Sequence, residues 1–328
     1  MLSKLLMIVP KVDKNEFDKE LQPKIRSLRV LSFLASKRWG VILLQKLFRL
    51  MRGKDIPGLI NEERFIPSQN GGPAIRVRIF RPKGEASLPA MLYLHGGGYL
   101  MGVPELSLRI IKQYIKARPC VIVAPDYRKG LLEGYPNGFN DCYDTLLWMK
   151  EHYRDLNISS PKFVVAGHSA GGGLTAAISQ KACDRGEVDI AFQMPIYPMI
   201  DHRQNTVSAK EMGKGVPVWN DKSNALGWST YLQSCKKEIP IYASVALAQR
   251  HDHLPPTITF VGEMEPFKDE TLQYVAALKK ANIAVEFALF PGAFHAFEQL
   301  VKTAQIAQQA NDFHLNAWKK YYDSYLTQ

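Results

Sequence analysis

Phe163-Val164-Val165-Ala166-Gly167-His168-Ser169-Ala170-Gly171 runs from an apolar stretch into a serine with glycine two places before and two places after it. Leu174-Thr175-Ala176-Ala177 then continues as helix former. This pattern predicts a strand, a tight turn and a helix, with Ser169 standing on the turn. Such a turn crowds the second neighbour on each side of the serine, so Gly167 and Gly171 fall where bulk is least tolerable. A serine at a strand–helix junction is often only an N-cap. Glycine on both sides favours a reactive hydroxyl.

About seventy residues earlier, Met91-Leu92-Tyr93-Leu94 leads into His95-Gly96-Gly97-Gly98. Glycines at that point let backbone N–H groups approach a ligand closely. Gly97 and Gly98 are the expected donors, joined by the N–H of Ala170, around an oxyanion formed by attack of Ser169. The alternatives are a loop that merely turns the chain, or one that cradles phosphate. No Lys-Ser or Lys-Thr follows, which weakens the phosphate reading.

Outward from these two clusters, short β-branched runs recur at 74–80, 90–95, 120–125, 162–167, 190–197, 257–262 and 285–290, and 63–67 adds a candidate edge strand. Helical stretches at 106–117, 137–153, 169–185, 268–281 and 298–325 separate them. Alternation of this kind predicts an α/β fold: a mostly parallel sheet of about eight strands, flanked by helices. Residues 1–60 read as mainly helical, with breaks at Pro10, Pro23 and Gly53. Residues 201–255 lack a good strand and accumulate Trp219, Trp228, Pro217 and Pro240. The expected division is an N-terminal helical cap segment (1–60) and a catalytic domain (61–328), with 201–255 as a cap insertion over the carboxyl ends of the strands. Active sites of open parallel sheets lie at those ends.

A serine hydroxyl needs a base, and the base an orienting acid. The base is expected after the last strand, where Pro291-Gly292-Ala293-Phe294-His295 forms a turn, which selects His295. Of the other histidines, His152 and His314 sit on expected helices, and His251 and His253 form a pair without further metal ligands. His202 is assigned no role, and His95 a structural one at the glycine loop. The acid should follow the strand at 257–262. Glu263, Glu265, Asp269 and Glu270 all stand there. Strand-end geometry favours Glu265, with Asp269 next.

The chain has 328 residues, 46% of them hydrophobic, and can bury a large core. Cys120, Cys142, Cys183 and Cys235 match no zinc or redox spacing and read as packing residues. The net charge is +11, and residues 1–60 carry thirteen basic against five acidic side chains. Between Arg26 and Arg52 these charges mix with apolar residues at helical spacing. The pattern fits a cationic lid packed on the body, or contact with an anionic membrane surface. No nucleic-acid motif accompanies the charge. No run is long enough to span a bilayer, and the apolar start lacks an A-x-A-like cleavage site, so the expected location is cytoplasmic.

His95-Gly96-Gly97-Gly98-Tyr99, Asp126-Tyr127-Arg128, Gly167-His168-Ser169-Ala170-Gly171-Gly172, Gly262-Glu263-Met264-Glu265 with Lys268-Asp269-Glu270, and Pro291-Gly292-Ala293-Phe294-His295 occur in one order along the chain. Together they resemble the hormone-sensitive-lipase-like family (bacterial lipolytic family IV) of the α/β-hydrolase esterases. The resemblance implies an eight-stranded sheet under a helical cap and hydrolysis of small carboxylic esters of short to medium acyl chain. It requires no metal or organic cofactor, and implies pairing of some relatives through the sheet edge as homodimers. It gives Asp126 the task of holding the oxyanion loop or neighbouring backbone. An amidase such as an arylformamidase could use the same groups; a non-catalytic receptor of the same fold would lack the base. Three positions depart from the pattern. Glu265 stands where aspartate is common, His168 stands where an acidic residue is frequent, and Lys129-Gly130-Leu131-Leu132-Glu133 replaces the usual loop. That last loop lies away from the nucleophile in sequence, and only local change is expected there.

Overall fold

The structure, a computed structural model, describes residues 12–84, 87–212 and 215–327. Eight strands form one sheet: β1 (Ile60–Ile66), β2 (Ile75–Arg81), β3 (Leu88–Leu94), β4 (Val121–Pro125), β5 (Ile158–His168), β6 (Asp189–Ile196), β7 (Thr257–Gly262) and β8 (Val285–Phe290). Their order is β1-β2-β4-β3-β5-β6-β7-β8; β1 and β2 run antiparallel to their neighbours, and every pairing from β4 to β8 is parallel. The apolar runs are continuous because both faces are covered. Along β3, Ala90, Leu92 and Leu94 enter one core while Met91 and Tyr93 enter the other.

Ten α-helices occur among the described residues: α1 (Gln22–Ala35), α2 (Arg38–Arg49), α3 (Leu108–Ala117), α4 (Asn137–Glu151), α5 (Ala170–Arg185), α6 (Val207–Glu211), α7 (Asp221–Tyr231), α8 (Lys268–Lys280), α9 (Phe297–Leu300) and α10 (Gln305–Tyr325). Buried residues of α4, α5 and α8 fill one core, and those of α3 and α10 the other. The helix expected over 298–325 is two helices, because Val301 leaves helical geometry (φ −125°, ψ 60°).

Pro23 does not break a helix. It occupies the first turn of α1, where its missing N–H costs nothing. The break falls between α1 and α2 instead, and a Cβ on Gly40 would lie 2.3 Å from the Leu34 carbonyl oxygen, so the tight crossing of the pair depends on that glycine. Pro10 lies outside the described residues. Val41 and Leu44 of α2 are buried, so the pair is packed on the body. The first helices and the 201–255 segment touch directly: the Arg29 side chain donates to the Gly215 carbonyl at 2.8 Å, and the Ser223 hydroxyl to the Ser32 carbonyl at 3.2 Å. Among the described residues no helix is long and apolar enough to cross a membrane.

Candidate active site

Ser169 stands between β5 and α5 with φ 60° and ψ −123°, a conformation rare for a residue with a side chain. The surroundings hold it there: its N–H donates to the Ile196 carbonyl at 3.0 Å, and its carbonyl accepts from Met199 and Gly173. A Cβ on Gly171 would lie 2.0 Å from the Leu94 carbonyl oxygen, so only glycine lets α5 start this close to β3.

His295 and Glu265 arrive from the loops after β8 and β7. The Ser169 hydroxyl and His295 Nε2 are 2.9 Å apart, and His295 Nδ1 lies 2.5 Å from Glu265 Oε2. The other Glu265 oxygen accepts from the Gly262 N–H at 2.9 Å. All three side chains are buried. The edges of Tyr197 and Phe267 flank the imidazole, with ring centroids 4.8 and 5.1 Å away.

The remaining carboxylates after β7 have separate tasks. Glu263 accepts from the Gly292 N–H, Asp269 from the Ser208 N–H, and Glu270 from the Ile200 N–H. None of the three bonds to His295; among these four carboxylates the contact is made by Glu265.

Beside the serine, the loop after β3 leaves the N–H groups of Gly97 and Gly98 without a protein acceptor among the described residues. Ala170 opens α5, so its N–H has no partner within the helix. The Ala170 N–H thus stands at a helix N-terminus, which favours negative charge. Gly98 adopts φ 61°, and a Cβ there would lie 1.9 Å from the Trp219 ring. His95 is buried, its Nδ1 2.7 Å from the Gly96 carbonyl oxygen, and burial together with the Lys129 charge pushes its pKa down to about 3.

Asp126 requires a correction. Its carboxylate bonds none of the loop backbone; it takes Arg52, Arg76 and Lys129 instead. Burial would raise its pKa, but Lys129, His95 and Arg52 hold it at about 2. The loop is held by the next residue: the Tyr127 hydroxyl donates to the His95 carbonyl at 2.9 Å, and the two rings stack with centroids 4.4 Å apart. The 129–133 loop meets the chain just after the glycines, where the Gly130 N–H donates to the Tyr99 carbonyl at 2.8 Å. Two further supports went unread in the sequence. Gln45 of α2 bonds the Gly102 backbone through both amide atoms, and the Tyr99 hydroxyl donates to the Met199 carbonyl.

His168 adds no charge. It is buried with Nδ1 2.9 Å from the Tyr93 hydroxyl, and burial, then the neighbouring His314 and His295, lowers its pKa well below the usual value. His253 meets Asp184 and Gln180, and no group of three or more potential metal ligands occurs among the described residues.

Ser169 and His295 open into a cavity of about 180 Å³. Leu31, Ala35 and Phe48 wall it from the first helices, and Val218 and Trp219 from the 201–255 segment. A larger cavity of about 350 Å³ lies on the other side of α2, lined by Arg38, Lys46 and Arg49, and includes none of Ser169, His295 and Glu265.

This sheet and this serine at its carboxyl edge define an α/β hydrolase, and residues 91–299 match the profile of a family with the alpha/beta hydrolase fold. The chain belongs to that family, in its hormone-sensitive-lipase-like esterase branch. It is 30% identical over 231 residues to esterase LipI of Mycobacterium tuberculosis, covering 69% of this chain and 72% of that one. It is 26% identical over 247 residues to ethyl acetate hydrolase of Pseudomonas putida, covering 74% and 76%. Among solved structures, a bacterial heroin esterase superposes with a TM-score of 0.87 at 29% identity, covering 94% of this chain and 98% of that one.

Proposed function

We propose that the chain hydrolyses small carboxylic esters of short to medium acyl chain through an acyl-enzyme on Ser169. The observation that carries this is the hydrogen-bonded series Ser169–His295–Glu265 beside three N–H groups without protein acceptors. His295 takes the hydroxyl proton as Ser169 attacks the ester carbonyl. The oxygen that gains charge is received by the N–H groups of Gly97, Gly98 and Ala170. Glu265 holds the imidazole in orientation and stabilises it when protonated. His295 then protonates the departing alcohol, and water repeats the sequence on the acyl-enzyme. These steps call for neither a metal nor an organic cofactor. Residues 1–60 and 201–255 act together as the cap that sets acyl length; the pocket walls they supply, around about 180 Å³, support that reading.

The test is turnover of p-nitrophenyl esters of increasing acyl length, with matched anilides to separate esterase from amidase. Ser169→Ala and His295→Ala are expected to lose about a thousandfold or more in kcat with folding intact. Glu265→Gln is expected to lose more than Asp269→Asn, and Phe48→Ala to shift the preference toward longer chains. Near-normal turnover in the serine or histidine variant overturns the mechanism, and faster anilide than ester hydrolysis overturns the substrate class.

A further inference from the structure

We infer that the outer face of α1 and α2 is a docking surface for an anionic lipid bilayer. The inner side of this pair is buried and walls the pocket, through Leu31, Ala35 and Phe48. The outer side is apolar and faces solvent. Trp39, Leu43, Leu47 and Leu50 follow one another at helical spacing along α2 and its end, with Trp39 55% and Leu50 77% exposed. Phe33 of α1, 54% exposed, extends the stripe, its ring centroid 6.2 Å from that of Trp39. Soluble proteins rarely leave such large apolar side chains contiguous and uncovered without a partner.

Charge names the partner. Residues 21–54 contain nine basic side chains and no acidic one. Lys37, Arg38, Lys46 and Arg49 are exposed around the apolar stripe, and no carboxylate among the described residues pairs with any of them. An aromatic and aliphatic stripe bordered by unpaired cations is the pattern of a helix lying in a membrane interface. Each cation near an anionic surface adds attraction, while the stripe supplies insertion. A protein partner would need to offer both a broad apolar groove and an excess of acid; an anionic bilayer offers both everywhere on its surface. The docked orientation would place the helices that wall the Ser169 pocket against the lipid.

Co-sedimentation of the full chain tests this, with vesicles of phosphatidylcholine alone and of equal parts phosphatidylcholine and phosphatidylglycerol. Binding is read without turnover, so its failure is distinct from failure of the esterase reading. Binding is expected to the anionic vesicles and to weaken with added salt. Arg38→Gln/Lys46→Gln/Arg49→Gln is expected to lower the partition by about a hundredfold. Trp39→Ser/Leu43→Ser/Leu47→Ser is expected to lower it by about tenfold or more. Both triple variants alter exposed side chains and are expected to keep wild-type turnover of a short soluble ester. Absence of binding by the wild-type chain overturns the inference, as does binding that both variants retain. So does loss of binding only on removal of residues 1–11, or a wild-type dimer in solution that the serine variant dissolves while vesicles are ignored.

Discussion

Gly98 and the Trp219 ring meet at the mouth of the pocket, where a single methyl group would strike the indole. The same glycine holds φ 61°, so a side chain there meets both a steric and a backbone obstacle. Gly98→Ala is therefore expected to displace an N–H proposed to receive the oxyanion. Loss of one such donor costs about a hundredfold to a thousandfold in kcat. Steady-state kinetics on a short p-nitrophenyl ester checks this, with KM little changed; an unaltered kcat removes Gly98 from the donor set. The candidate serine, base and glycines were legible because each sits beside a strand end that the sequence announces. Tyr127 and Tyr197 were not. Tyr197 closes an apolar run and reads as core, Tyr127 stands in a motif that gives it no task of its own, and the partner of each, His295 or His95, lies far along the chain.

Between elements, the Glu105 carboxylate is the junction. It is fully buried just after the glycine loop, accepts from Arg76 and Arg78 of β2, and takes the Gly53 N–H from the end of the helical N-terminal segment. Glu105→Gln removes the fully buried counter-charge that the two guanidinium groups share, leaving Asp126 and Glu63 to Arg76 and the exposed Asp55 to Arg78. The expected cost is about 3 kcal/mol, read as a lower midpoint in urea at unchanged slope; a loss under about 1 kcal/mol denies the junction its importance. Strands β7 and β8 were readable to the residue, since each is a short apolar run closed by a turn. The sidedness of α2 was not. Apolar residues cover a wide arc of that helix, so periodicity could not say which part of the arc packs inward and which stays exposed.

At the scale of the whole molecule, buried titratable groups set the response to acid. Burial drives His95 and His314 down to about 3, and His168 well below its usual value. Unfolded histidine titrates near about 6.5. A folded pKa below the unfolded one gives stability that is complete above that value and drains away as pH falls toward the folded one. Glu270 and Glu298 act in the opposite sense, since burial raises both, and their contribution fades as pH rises. The three histidines outnumber the two glutamates, so net stability is expected to fall from pH 7 to pH 5. Calorimetry should show a lower Tm at pH 5, and a steeper fall in Glu270→Gln. A Tm constant across that interval contradicts the account.

Near the start of the described chain, the Asp18 N–H donates to the Gly292 carbonyl at 3.0 Å, and Phe17 sets its ring against Phe294. These residues brace the turn that carries His295. A ribosome releases the first partner about 270 residues before the second. A nascent product that stops short of Phe294 cannot assemble this brace, so the turn is set only after that residue has emerged.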